Sequence, residues 1–208
     1  MIRGAYGTPL GGPIGIQRLD ASDTYVPTAG TRVARVTLQA AGGGGAGVGT
    51  SAGTGLGGGG GAGETRVGVF DITGNVVVTI GAAGTGGASG NNDGGTASDS
   101  TFGALMTAKG GTKGFGSTGA TNGAVGTTPT GSGGVAIPPV RDAQSGAARH
   151  YPAGSIFGSG DLSYLGATYN GPAVSGKGQG GYGGRDTGTA AKAGGDGSAG
   201  FCLIEEFA

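Results

Sequence analysis

Apolar and polar residues alternate with a period of two in three separated stretches of the chain. In residues 32–40, Ala34, Val36, Leu38 and Ala40 share one parity with Arg32, while Arg35, Thr37 and Gln39 take the other. Successive strand side chains point to opposite faces, so this is the pattern of a half-buried strand. Residues 16–26 before it and a turn at 27–30 predict a strand–turn–strand unit. The second stretch, GETRVGVFDITGNVVVTIG, predicts two strands around a turn at 73–75, with Val76, Val78 and Ile80 on one face of the returning strand. The third is the terminal FCLIEEFA, where Phe201, Leu203 and Phe207 alternate against Cys202, Ile204 and Glu206. Leu203 and Val36 are expected in the core. Residues 102–108 form a weaker strand candidate, and no helical apolar period is sustained over two turns. The pattern predicts an all-β chain. Strands near 31–40, 64–72, 75–80 and 201–207 should join one antiparallel sheet system, the C-terminal strand paired to an early one. Residues 1–14 read as an irregular attachment arm, and 15–208 as a single β domain.

Composition changes this picture in one respect. Of 208 residues, 57 are Gly, against ~7% in ordinary proteins. Collagen needs a strict Gly-X-Y period with abundant Pro, and only 8 Pro are present. Disorder is the rival reading, because Gly loses the most backbone entropy on folding. The β-patterned blocks weigh against it. The glycines are also spaced by three, at Gly81, Gly84, Gly87 and Gly90, at Gly55, Gly58 and Gly61, and at Gly194, Gly197 and Gly200. Shorter runs recur at Gly111/Gly114, Gly123/Gly126, Gly131/Gly134 and Gly178/Gly181/Gly184, whereas Gly176 lies outside any run. An extended left-handed helix of three residues per turn has no internal hydrogen bonds. Bare faces on such helices let neighbours trade backbone N–H···O=C bonds, as in a polyglycine-II bundle. Flexible loops are the alternative.

Charge and chemistry narrow the function. Twelve basic and twelve acidic residues balance without a basic patch, so no nucleic-acid partner is expected. No run reaches the ~20 apolar residues of a membrane span, and residues after Met1 lack an apolar signal core. One Cys and one His exclude a Cys/His zinc site. Cys202 reads as a buried, inert thiol and no catalytic elbow frames a Ser. GPAVSGKG matches a phosphate-loop spacing through Lys177 but has Gly178 where Ser or Thr must hold magnesium. No enzyme activity, cofactor or metal is expected. Glu64, Glu205 and Glu206 read as strand-edge or terminal charges.

Residues 135–175 break the glycine regime. They carry half the prolines, half the tyrosines, Phe157 and the single histidine. Tyr offers large contact area at low entropy cost, and Ser, Gly and Asn offer adaptable hydrogen bonds, the mixture binding loops use. Arg141, Arg149, His150, Tyr151, Phe157, Tyr164 and Tyr169 are the candidate contact residues. The alternative is that these aromatics cover a small core of the loop itself.

The order of parts runs DTYVPTAGTRVARVTLQAAGGGGAG, glycine tract, GETRVGVFDITGNVVVTIGAAGTGG, STFGALMTAKGG, further glycine tracts, and GDGSAGFCLIEEFA. This order resembles the glycine-rich C-terminal domain of bacteriophage tail fibre and tail tip proteins, and covers roughly residues 16–208. The plan is also similar to the detachable tip adhesins of T-even-like phages. Departures are Tyr25 in place of the usual Trp, Phe207 as the terminal aromatic, and an insertion at 135–175 without a family counterpart. The resemblance implies an antiparallel β-sandwich with polyglycine-II-like segments and long irregular loops. It implies a virion protein, assembled in the host cytoplasm and extracellular after lysis, that binds a bacterial surface receptor, either protein or polysaccharide. The arm would dock it to other tail proteins. A structural cap, collar or decoration protein without receptor contact is the second reading. A homotrimer about a fibre axis and a monomeric cap each satisfy the need to cover strand edges.

Overall fold

The structure, a computed structural model, describes residues 12–50, 55–117, 123–124, 126–139, 153–157, 170–172, 174, 176–188 and 190–208. The chain is all-β: no helix occurs among the described residues. A five-stranded antiparallel sheet has the order β1 (Pro13–Leu19), β11 (Phe201–Phe207), β3 (Val33–Gln39), β5 (Thr65–Asp71) and β9 (Val135–Ile137). A second sheet has the order β2 (Asp23–Tyr25), β6 (Val76–Thr79), β7 (Ser100–Phe102) and β8 (Met106–Ala108). A two-residue ladder joins β4 (Gly55–Leu56) to β10 (Arg185–Asp186).

The two large sheets enclose one apolar core. Ala34, Val36 and Leu38 of β3 meet Cys202 and Ile204 of β11 from one side, and Tyr25, Val78, Phe102, Met106 and Ala108 from the other. Phe102 stands between Tyr25 and Phe70, with ring centroids 5.9 and 6.1 Å away. The alternation in 32–40 therefore reports the core face correctly. Leu203 does not: it pairs with Thr37, on the opposite face from Leu38 and Cys202, and is only half-buried. Residues 16–26 form two strands, because the chain turns at 20–22 and passes from one sheet to the other. The turn at 73–75 likewise carries the chain from β5 across to β6, so the two do not pair as a hairpin. Strand β1 starts at Pro13, inside the expected arm.

Beyond the sheets the glycine segments bond to one another. Segment 41–49 is central, and its amides point in three directions in rotation. Gly42, Gly45 and Val48 donate to Ser198, Gly195 and Lys192; Gly43 and Ala46 to Gly61 and Gly58; Gly44 and Gly47 to Gly95 and Asn92. Its carbonyls accept from Gly84, Gly87 and Gly90, from Gly111 and Gly114, and from Gly181 and Gly184. Each series advances by three residues, the period of a three-residue-per-turn helix. The six neighbours close a ring. Gly58 bonds to Phe115, Gly94 to Gly114, Gly95 to Thr85, Gly194 to Gly87, Gly195 to Tyr182 and Gly57 to Gly184. Segment 123–131 lies outside the ring, where Gly123 and Gly126 donate to Leu56 and Gly59.

Glycine content follows depth in this lattice. Segment 41–48 is surrounded, every residue in it is buried, and it carries Gly42, Gly43, Gly44 and Gly45 in succession. Peripheral segments need Gly only where they face inward: Gly81, Gly84 and Gly87 are buried, whereas Ala82, Thr85 and Ala88 are exposed. A Cβ on Gly44 would overlap the Thr85 carbonyl, and one on Gly45 the Tyr182 carbonyl. Gly134 belongs to a different feature, a left-handed turn (φ 59°) at the start of β9.

A polar layer joins sheet to lattice. Gln39 donates to the Gly63 and Ala40 carbonyls at 2.9 and 2.8 Å and accepts from the Thr65 hydroxyl. Glu64, read from sequence as an edge charge, is buried. Its carboxylate accepts from the Arg66 guanidinium at 2.5 Å, the Gly131 amide at 2.7 Å and the Lys109 amide at 3.1 Å. Arg66 also donates to the Gly133 and Gly134 carbonyls. One ion pair thus sets where segments 109–117 and 123–131 meet the sheet.

Gly84→Val and Gly197→Val should each lower the melting temperature strongly, since the new Cβ overlaps the backbone of Gly95 or Gly42. Gly74, with nothing within 4 Å of an added Cβ, is the proper control and should tolerate Val. Gly176 is not one, because its φ of 103° strains any side chain. Equal melting shifts at Gly84, Gly197 and Gly74 would contradict the packed lattice.

Candidate functional site

The lattice gives the molecule two different ends. Segments 41–49, 81–90, 109–117 and 178–184 run outward from the sheets and are mutually parallel, while 56–64, 92–98, 123–131 and 192–200 return. The outer ends of these eight segments therefore fall at one end, which we call the tip. Strands β1 and β11 end at the other, where Pro13 pairs with Phe207. Seven strand residues at ~3.3 Å and about eight lattice residues at ~3.1 Å separate base from tip by roughly 48 Å.

The described tip residues are small and polar, and several are braced by side-chain caps. Gly90 (φ 107°) and Asn92, whose amide donates to the Ser89 carbonyl at 2.9 Å, turn segment 81–90 into 92–98. Asp186 accepts from the Gly188 and Ala190 amides at 3.1 and 3.2 Å in the last reversal. Asp93 accepts from Lys113 at 2.8 Å and from the Gly116 amide at 2.9 Å. The lysine first, then that amide, hold its carboxyl below the usual 3.8. Lys113 also lies 5.3 Å over the half-exposed Phe115 ring. Thr50, Ser89, Asn91 and Thr187 are exposed beside these caps. Sequence reasoning missed this surface, because its residues come from four segments that only the lattice brings together. The available signal was that each polar interruption separates two glycine runs.

Of the sequence-derived contact residues, Arg141, Arg149, His150, Tyr151, Tyr164 and Tyr169 lie outside the described residues. Phe157 lies on the flank of the molecule. It is 41% exposed and packs edge-on against Phe201, with centroids 4.7 Å apart. The Arg18 guanidinium sits 5.0 Å over the same Phe201 ring. Ile156, 36% exposed, adds apolar surface beside it. The piece 153–157 is held to the lattice: Ala153 donates to Gly60 at 3.1 Å and accepts from Gly180 at 3.2 Å. Lys177, the lysine of the phosphate-loop spacing, pairs instead with Asp20 at 3.0 Å.

At the base a buried carboxylate fastens the N-terminal strands to the C-terminal one. Glu206 accepts from the Thr28 hydroxyl at 2.7 Å, the Tyr25 hydroxyl at 2.8 Å, the Thr28 amide at 2.9 Å and Gln17 at 3.2 Å. It was expected as a terminal charge, and these partners, some 180 residues upstream, are why it is buried instead. Burial pushes the carboxyl up, but the bonds from Thr28, Tyr25 and Gln17 outweigh it and hold Glu206 below the ordinary 4.5. Burial, then the bond to Glu206, pushes the Tyr25 phenol up. Cys202 is buried in the core, which pushes its thiol up to about 12.

Among the described residues no three His, Cys, Asp or Glu side chains are grouped to hold a metal ion. No described helix is long and apolar enough to cross a membrane. No protein-family model matches the chain, and no curated protein matches it significantly in sequence.

A group whose folded pKa is depressed adds stability above its unfolded pKa, lost as pH falls through the folded value. For Glu206 that loss begins as the pH drops below 4.5. Glu206→Gln should cost about 1–3 kcal/mol at neutral pH, because it removes the charge that these donors face. Its acid denaturation limb should be flatter than that of the unmodified protein. Urea unfolding at pH 7 and at pH 3 measures both, and identical pH profiles would contradict the assigned role.

Proposed function

We propose that the chain is a non-catalytic bacteriophage virion protein at the tail tip or fibre end, holding loops against a receptor on the host surface. The order of its segments, similar to glycine-rich tail fibre domains, supports this reading. The observation that carries it is polarity: the outer ends of eight lattice segments lie together at the tip, while both ends of the β domain's backbone leave at the base. A lattice of backbone hydrogen bonds is a stiff support that leaves loop sequences free to vary, and loops on rigid scaffolds commonly carry function. The base side, with β1 and the residues before it, is then the attachment side. Residues 135–175, with Arg141, Arg149, His150, Tyr151, Phe157, Tyr164 and Tyr169, are the second candidate contact surface.

Purified protein should block adsorption of the phage to its host. Tyr151→Ala, Tyr164→Ala or Tyr169→Ala should weaken receptor binding by ~2 kcal/mol, roughly thirtyfold, where that tyrosine anchors the contact. Replacing 186–188 with a Gly-Ser turn tests the tip in the same assay. Residues 153–157 are kept in every variant because they bond to the lattice. Particles that assemble but fail to adsorb support the adhesin. Normal adsorption by all variants contradicts it, and loss of assembly favours a structural cap.

A further inference from the structure

Contacts on the flank close into a ring around one patch of surface. Phe157 packs edge-on against Phe201, and the Arg18 guanidinium lies over the same Phe201 ring. Arg18 in turn grips Asp20 as a fork, Nε to Oδ2 at 3.1 Å and Nη2 to Oδ1 at 2.9 Å. Asp20 Oδ1 also accepts from Lys177 at 3.0 Å. Backbone closes the circuit. The Lys177 amide donates to the Phe157 carbonyl at 3.4 Å, and the Lys177 carbonyl accepts from the Ser155 hydroxyl. Gly176 and Gly178, both left-handed at φ 103° and 70°, bend the chain on either side of Lys177. The run GPAVSGKG thus places its lysine in this ring and not in a phosphate loop.

The ring is open to solvent and has two chemical halves. Its apolar half is Phe157 with Ile156, both exposed, over a floor of buried Phe201. Its polar half is Arg18, Asp20 and Lys177, whose side chains are half or partly exposed. A carboxylate oxygen has room for two donors, and Asp20 Oδ2 meets only Arg18 Nε. Arg18 has N–H groups beyond the two that hold Asp20, with no acceptor for them among the described residues. The bonds from Arg18, then Lys177, hold the Asp20 carboxyl below the usual 3.8, so it stays an ionised acceptor at neutral pH.

We propose that this ring binds a pyranose unit of a surface polysaccharide, with one face of the sugar on Phe157 and its hydroxyls on Asp20, Arg18 and Lys177. A pyranose has an apolar face of C–H groups and a rim of hydroxyls, each both donor and acceptor. It matches aromatic surface set beside one acceptor and several donors at fixed spacing. A free anion would meet Asp20 as well as the cations, and an apolar side chain would leave all three charged groups unmatched. Neither uses the whole ring. The inference rests on reading 135–175 as a host-contact surface, and it names the chemistry of that contact. One shallow ring holds a single sugar weakly, and repetition along a polysaccharide raises the avidity.

The test is a titration of the isotope-labelled protein, followed by NMR at the amides of Phe157, Lys177 and Phe201. The probes are the methyl glycosides of glucose, galactose, N-acetylglucosamine and rhamnose, and glucuronic acid. At least one should shift these signals saturably and leave Gly74, at the base, unmoved. Asp20→Asn and Phe157→Ala should each weaken binding by about tenfold or more. Asp20→Asn lies at a half-exposed turn and should not move the melting curve. Phe157→Tyr keeps the aromatic ring and should keep the affinity. No saturable shift with any of these sugars, or an affinity unchanged in both Asp20→Asn and Phe157→Ala, would overturn the proposal. The titration needs no cells. A protein that blocks adsorption but answers no sugar refutes the site alone. A sugar response without any block of adsorption supports the site and refutes the host-contact reading.

Discussion

The structure depends on one steric condition: backbone must touch backbone where segments 41–49 and 56–64 pass through the lattice. A buried amide without a partner costs as much as a lost hydrogen bond. These segments have neither helix nor long ladder to satisfy their amides internally. They do so by lying close enough to bond sideways, and a Cβ at an inward position removes that closeness. The usual cost of glycine, its backbone entropy in the unfolded chain, is offset by hydrogen bonds in three directions. The sandwich is where this begins. Strands β3 and β5 enter the lattice directly through Gln39 and Glu64, and β11 leaves it at Gly200, so sheet register sets lattice register.

Much of the sandwich is legible in the chain because burial on one face imposes a period of two. Val36, Leu38, Val78 and Ile204 follow it, and the all-β class follows from them. Leu203 fails because a central strand has two faces that both carry apolar residues, and alternation alone does not say which faces the core. The separate strands β1 and β2, and the crossing from β5 to β6, are set by pairing with distant partners. Local turn chemistry looks the same for a hairpin and for a change of sheet. Apart from Arg66, two residues from Glu64, the partners that bury Glu64 and Glu206 are Lys109, Gly131, Tyr25 and Thr28, far along the chain. What the run Gly42–Gly45 encodes is position: only a fully surrounded segment needs glycine on every face.

The same constraint gives the molecule its polarity, and polarity is what the proposed role uses. Outward positions on the lattice bear Ala82, Thr85, Thr96 and Asp196, whose side chains cover the flank and stop further segments from joining. Tip loops have no such duty, and they alternate with buried segments that tolerate almost no substitution. A scaffold of this kind separates residues free to change from residues that are not. The base, fastened through Glu206 to strands from both halves of the chain, forms only when the last seven strand residues have arrived.

Amide hydrogen exchange on the native protein most directly tests whether the glycine lattice is a core and not a set of loops. The amides of residues 42–48 and of Gly57, Gly58, Gly60 and Gly61 donate only to other glycine segments, or to the residues beside them. They should exchange with the amides of Val36 and Ile204, protected by at least about a thousandfold, as expected for groups that open only on global unfolding. Exchange at rates near those of an unfolded chain, with β3 and β11 still protected, would show that the sandwich folds alone and the glycine segments hang from it as loops.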